Sequence, residues 1–191
     1  MIRSSLGRCS FVALALVVSA CKSPSSGNGH NEVELSVSSN VTWPKAESLD
    51  RLTLRSYPPS VVDNVAHSPV PVLLPNGITF AEPVLITRSE YYAFSGRAVV
   101  DGHPDANYTV HATKLAHAYE GTTLPPGDKA MRGTMGFLTI NEGIRVASWS
   151  ENGVAYSVDI ECPTEDDARC IDEAHIVDLV NRLAFVGGGA R

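Results

Sequence analysis

The chain has 191 residues, 43% of them hydrophobic, with 15 lysines and arginines against 21 aspartates and glutamates and a formal net charge of −6. That length suffices for one domain with a proper core. The acidic balance argues against nucleic acid and against a general electrostatic grip on anionic lipid.

The first twenty residues fall into three blocks. Arg3 and Arg8 give a positive start with no acid to offset them, Phe11 to Val18 is a continuous apolar run, and Ser19 and Ala20 are small. This is the layout of a secretory signal peptide. The apolar run is too short for a permanent transmembrane helix, which needs about 20 residues. Val18-Ser19-Ala20-Cys21 resembles the lipobox of bacterial lipoproteins: an aliphatic residue, two small ones, then cysteine. The resemblance covers the signal region alone. It implies cleavage before Cys21, a diacylglycerol on that thiol and often an acyl chain on the new amine; more than one chain makes the anchor stable. Lys22 stands where the inner-membrane retention signal of enteric bacteria has aspartate, which favours the outer membrane, with the domain facing the periplasm or the cell surface. Residues 22–32 are polar and rich in Ser, Gly and Asn, too poor in apolar surface to order themselves, and read as a flexible tether. The expected organisation is therefore a signal peptide over 1–20, a lipidated tether over 21–32 and one globular domain over 33–191. Loss of Arg3 and Arg8 leaves 13 basic residues against 21 acidic ones, a mature charge of −8.

Residues 32–38 alternate polar and apolar, the mark of a half-buried strand. Over 42–59 two readings stand open: a short helix after Pro44 with Leu49 and Leu52 inward, or extended chain at Leu52-Thr53-Leu54, either one ended by Pro58-Pro59. Val70 to Leu74, between two prolines, predicts an edge strand, and Asn76-Gly77 a turn. Strands follow over 84–88, 90–94 and 97–100, with Gly96 as a bend or bulge. A polar loop over 101–107 precedes a strand over 108–113, and 122–132 is a long connection.

Thr134 to Ile140, Ile144 to Ser150 and Val154 to Ile160 predict three strands separated by turns ending in glycine. A two-residue turn at Asn152-Gly153 would set Trp149 opposite Tyr156 and Ala147 opposite Val158; a three-residue turn would shift that register by one. With the two-residue turn these residues would share a face with Val154 and Ile160, while Ser148, Ser150, Ala155 and Ser157 take the other. Ile176, Leu179, Val180 and Leu183 recur at helical spacing. Asp172 is placed to cap that helix, Asp178 to pair with Arg182, and Gly187-Gly188-Gly189 to stop it. These elements imply an α+β fold: a mainly antiparallel meander with a C-terminal amphipathic helix packed on its apolar face.

Four cysteines divide by fate. Cys9 leaves with the signal and Cys21 takes lipid, so Cys162 and Cys170 remain and are most simply a disulfide in an exported protein. Their spacing is not that of a redox motif, and Asp166, Asp167 and His175 fall short of a zinc set.

Chemistry is harder to find. The nucleophile elbow, the His-Glu-x-x-His motif and the glycine-rich phosphate loops are all missing, and the sequence implies no cofactor. Asp101 to Asn107 spaces donors as a metal loop might, but builds a polar turn equally well. His111 and His117 lie near Tyr108 and Tyr119. Tyr91, Tyr92, Phe94, Trp149 and Tyr156 are aromatic residues more easily read as core than as a glycan or lipid surface. The reading that follows is a non-catalytic, lipid-anchored envelope protein. Its partners are the membrane, through Cys21, and an unidentified protein or an apolar or glycan ligand, with no nucleic acid. Antiparallel sheets with a covering helix resemble, at fold level only, the half-barrel carriers of the envelope. The alternatives are an envelope hydrolase using His111 or His117 with Asp101 or Asp105, and a structural component of an outer-membrane complex.

Overall fold

Strand-forming segments joined by glycine turns build the framework of the computed structural model, which describes residues 34–101, 103–119 and 126–189. Cys21, the signal segment and the tether lie outside the described residues. The strands are β1 (Glu34–Ser38), β2 (Val72–Leu74), β3 (Phe80–Thr87), β4 (Tyr91–Val100), β5 (His103–Thr113), β6 (Leu115–Tyr119), β7 (Lys129–Met131), β8 (Thr134–Asn141), β9 (Ile144–Glu151), β10 (Val154–Glu161) and β11 (Ala184–Gly187). The helices are α1 (Arg51–Arg55), α2 (Pro59–Val65), α3 (Ala168–Ile171) and α4 (Glu173–Asn181). A seven-stranded antiparallel sheet runs in the order β3-β4-β5-β10-β9-β8-β7, and two small sheets pair β1 with β6 and β2 with β11. The fold is α+β, with the C-terminal helix on the sheet.

The meander follows its turn chemistry. Asn152 (φ 57°) and Gly153 (φ 76°) form the two-residue turn between β9 and β10, a backbone shape that favours Asn-Gly because both positions need positive φ. Trp149 accordingly lies opposite Tyr156 and Ala147 opposite Val158. One face is buried and the serines face out, as alternation requires.

Inside, Tyr92, Phe94, Val110, Val158 and Ile160 of the sheet pack in one core with Ile176, Leu179 and Val180 of α4, Val61 and Val65 of α2, and all of β2. Phe80, Phe94 and Tyr108 contribute edge-to-face contacts at 5.3 and 5.9 Å, the arrangement the ring quadrupole prefers. Two buried tyrosines tie β2 across the sheet. Tyr92 accepts from the N–H of Leu73 and donates to its carbonyl, both at 3.0 Å, and Tyr156 donates to the carbonyl of Pro71 at 2.9 Å. Burial pushes the pKa of both phenols up, so they remain neutral donors.

Several expectations are corrected. The polar segment 101–107 is a loop only at its start: Val100 and His103 pair directly, Asp101 turns with φ 51°, and the rest is β5. β4 runs unbroken through Gly96, whose missing side chain makes room for Phe80; a Cβ there would lie 2.9 Å from that ring. Pro58-Pro59 does end α1, but Pro59 also opens α2 at the first helical position, where proline's missing N–H costs nothing. The glycine triplet does not stop the C-terminal helix. α4 ends at Asn181, and Ala184–Gly187 returns as β11 beside β2. Between 42 and 59 the helical reading holds, in α1 and in a 3-10 turn at Ala46–Ser48, but Leu52 does not face inward: it is 78% exposed, and Thr53 is the buried residue of α1.

Candidate functional site

The outward face of the large sheet is the main unassigned surface. Register places Ile86, Ala93, His111, Ser157, Ser148 and Phe137 in one lateral row across six strands. The next row runs Val84, Ser95, Thr109, Asp159, Val146 and Thr139. The centre is thus small and polar around one imidazole, and both flanks are apolar. Val84 is 56% exposed, Ile86 42% and Phe137 36%.

His111 is half-buried at that centre, its ring 5.4 Å from that of Tyr91. Burial lowers its pKa, opposed by the nearby charge of Asp159; burial raises the Asp159 carboxyl, opposed in turn by His111. Among the described residues no carboxylate makes a hydrogen bond to His111. The acids suggested for it lie elsewhere: Asp101 is exposed at the hairpin turn, and Asp105 is gripped by Arg169 through two bonds of 2.7 Å. His117 stands in β6 opposite Ser36, and the placement of its side chain lies outside the described residues.

Arg169 builds a network that sequence reasoning missed. Asp167 caps α3 by accepting from the backbone N–H of Arg169 at 2.9 Å, and it also accepts from that guanidinium. These bonds hold the Asp167 carboxyl at about 2. Beside them the Tyr108 hydroxyl and His175 Nε2 stand 3.4 Å apart. Cys162 and Cys170 are joined as expected, with Cα atoms 6.2 Å apart, so the disulfide and the Arg169 cluster both fasten α3 to the sheet. The only hint in the sequence was the Asp-x-Arg spacing at 167–169, which reads equally well as surface charge.

A half-open cleft of about 420 Å³ is lined by Arg132, Glu151, Tyr156, Asp50, Arg182 and Phe185, among others. Its charged groups are mostly committed to the fold. Arg132 donates to the carbonyl of Leu183 at 2.6 Å and to Glu151 at 2.6 Å; Glu151 also accepts from Trp149 Nε1 at 3.3 Å. Asp50 caps α1 through the N–H groups of Leu52 and Thr53, and Arg182 pairs with Asp178.

Of the aromatic residues, Tyr92, Phe94, Trp149 and Tyr156 are core. Trp149 and Tyr156 stack at 5.3 Å on the inner face, leaving Tyr91 as the outward one. Among the described residues no group of three or more His, Cys, Asp or Glu is placed to hold a metal ion. Comparison with family models, with curated proteins and with solved structures gives no match to this chain.

Proposed function

We propose that this protein is a lipid-anchored component of the bacterial cell envelope, acylated at Cys21, whose folded domain works as a binding or assembly module for another protein rather than as an enzyme. The observation that carries the second half is the outward face of the seven-stranded sheet. The row through His111 runs from Ile86 at one flank to Phe137 at the other, the row beside it runs from Val84 to Thr139, and Val84, Ile86 and Phe137 are exposed. Exposed apolar side chains grouped together, as Val84 and Ile86 are on β3, are the kind of surface that takes a partner. The inner face, where a carrier of this architecture would hold its ligand, is filled by the core side chains of α2, α4 and β2.

The anchor rests on the Val18 to Cys21 motif and is tested there. Cells fed a labelled fatty acid should label the wild-type protein, and Cys21→Ser should abolish the label and accumulate uncut precursor. Label that persists in Cys21→Ser would remove the anchor from the proposal.

A further inference from the structure

We propose that β8 is a joining edge, at which two copies of this chain pair β8 against β8 in antiparallel fashion and continue one sheet through both. β7 pairs with β8 only over Thr134 to Gly136, whereas β8 runs on to Asn141. The two-residue turn after β8 makes Asn141 and Ile144 the closing pair, which exchanges both of its backbone bonds. Alternation then points the backbone groups of Thr139 and Phe137 toward β9, and those of Leu138 and Ile140 away from it. Among the described residues no strand meets these outward N–H and C=O groups.

The two ends of the sheet are built differently. At the far end β3 carries a bulge between Ala81 and Val84, with Glu82 at φ 49° and Pro83 inside it, which are devices that block pairing. β8 has none of these. From Thr134 to Asn141 there is no charge and no proline, and Ile140 is 59% exposed.

The strip is also self-complementary. With Thr139 opposite Thr139 of a second copy, Leu138 falls opposite Ile140 of that copy, and the reverse. Both are outward-pointing positions, so each such pair exchanges two backbone bonds, and the junction gains four. Thr139 then meets its equivalent as a β-branched cross-strand pair, and Ile140 is covered by the apolar side chains on the other face. Charge points the same way. Two copies at −6 each repel over most of their surface, and an uncharged strip is where close approach costs least. This inference stands on the sheet edge and not on the lipid anchor, so either can fail without the other.

The test uses the full chain purified in mild detergent. Sedimentation over rising concentration should show a monomer–dimer equilibrium, weakened at least about tenfold by Ile140→Lys, which sets a charge opposite Leu138 of the other copy and two like charges diagonally across the junction. Ile140→Pro should act alike, since it removes an N–H that β9 does not use. Thr139→Cys should give a disulfide-linked dimer, because non-hydrogen-bonded partners sit about 4.5 Å apart at Cα; Ser150→Cys should not. A monomer at every concentration would overturn the proposal, as would a dimer indifferent to both Ile140 variants. Slow amide exchange at Leu138 and Ile140 in the dilute monomer would overturn it too, since another segment of the same chain would then cover the edge.

Discussion

Arg145 shows what a single residue contributes. It lies on β9 at the inward phase of the alternation and is 5% exposed. Its Nε donates to the carbonyl of Cys170 at 2.8 Å and its Nη2 to that of Ile171 at 2.6 Å. Glu173 stands 3.8 Å away. A buried cation is tolerated here because the end of α3 leaves carbonyls without helical partners, and charge-assisted bonds to them are strong. Period-two alternation does place residue 145 on the face of Ala147 and Trp149. The charge made that placement hard to read, because the acceptors lie 25 residues on in an element too short to carry a signal. Arg145→Met keeps the bulk of the stem and removes the donors. It should cost about 2–4 kcal/mol in denaturant unfolding, from two carbonyls left unpaired. A loss within the scatter of ordinary surface changes, about 0.5 kcal/mol, would mean that water replaces those bonds without difficulty.

Among elements, legibility followed local chemistry. The β9–β10 register was readable because Asn152-Gly153 fixes the turn and alternation fixes the face. The inward stripe of α4 was readable because Ile176, Leu179 and Val180 repeat at helical spacing. β2 and β11 are three and four residues long, buried runs without period, and pair only because the chain returns after α4. The end of α4 was misplaced for a related reason. Arg132, far away in sequence, takes the carbonyls of Val180 and Leu183, so no glycine is needed where the helix stops. The candidate site was legible only in part. His111 stood out as a histidine on a strand, but its neighbours Ser157 and Asp159 are set by a β5–β10 pairing that no local pattern announces.

The disulfide belongs to this scale, since it joins Cys162, just past β10, to Cys170 within α3, eight positions on. On the chain-entropy account that link stabilises by about 2–3 kcal/mol. The Cys162→Ala and Cys170→Ala pair should lose about that much, and wild-type protein folded without reductant should show neither thiol free. Two titratable thiols at 162 and 170 would contradict the bond.

For the folded domain as a whole, pH is the most direct probe, because the perturbed groups act in two ranges. Asp105 and Asp167 are held below the ordinary value of 3.8, chiefly by hydrogen bonds from Arg169; Glu173 is lowered from 4.5 by Lys129; Asp50 is lowered by N–H and hydroxyl donors of Thr53. A carboxyl depressed on folding contributes stability above its unfolded pKa and loses it as pH falls through the folded one. These four should therefore leave the neutral range flat and give a decline from roughly pH 4 toward pH 2. His111 and His175 act earlier. Burial lowers both from 6.5, so the unfolded chain takes up protons first and stability starts to fall as pH drops below about 6.5. Asp159 has the opposite sign, since burial raises its carboxyl and protonating it relieves the folded state. The thermal midpoint should accordingly fall in two stages on acidification. His111→Gln should shrink the upper stage, and by removing the charge that opposes the rise of Asp159 it should also move the Asp159 contribution. Asp167→Asn should lower the midpoint at neutral pH and flatten the lower stage, because the variant no longer has that proton to gain. A midpoint unchanged from pH 7 to pH 3, or an Asp167→Asn profile parallel to wild type, would show that the Arg169 cluster is not coupled to folding.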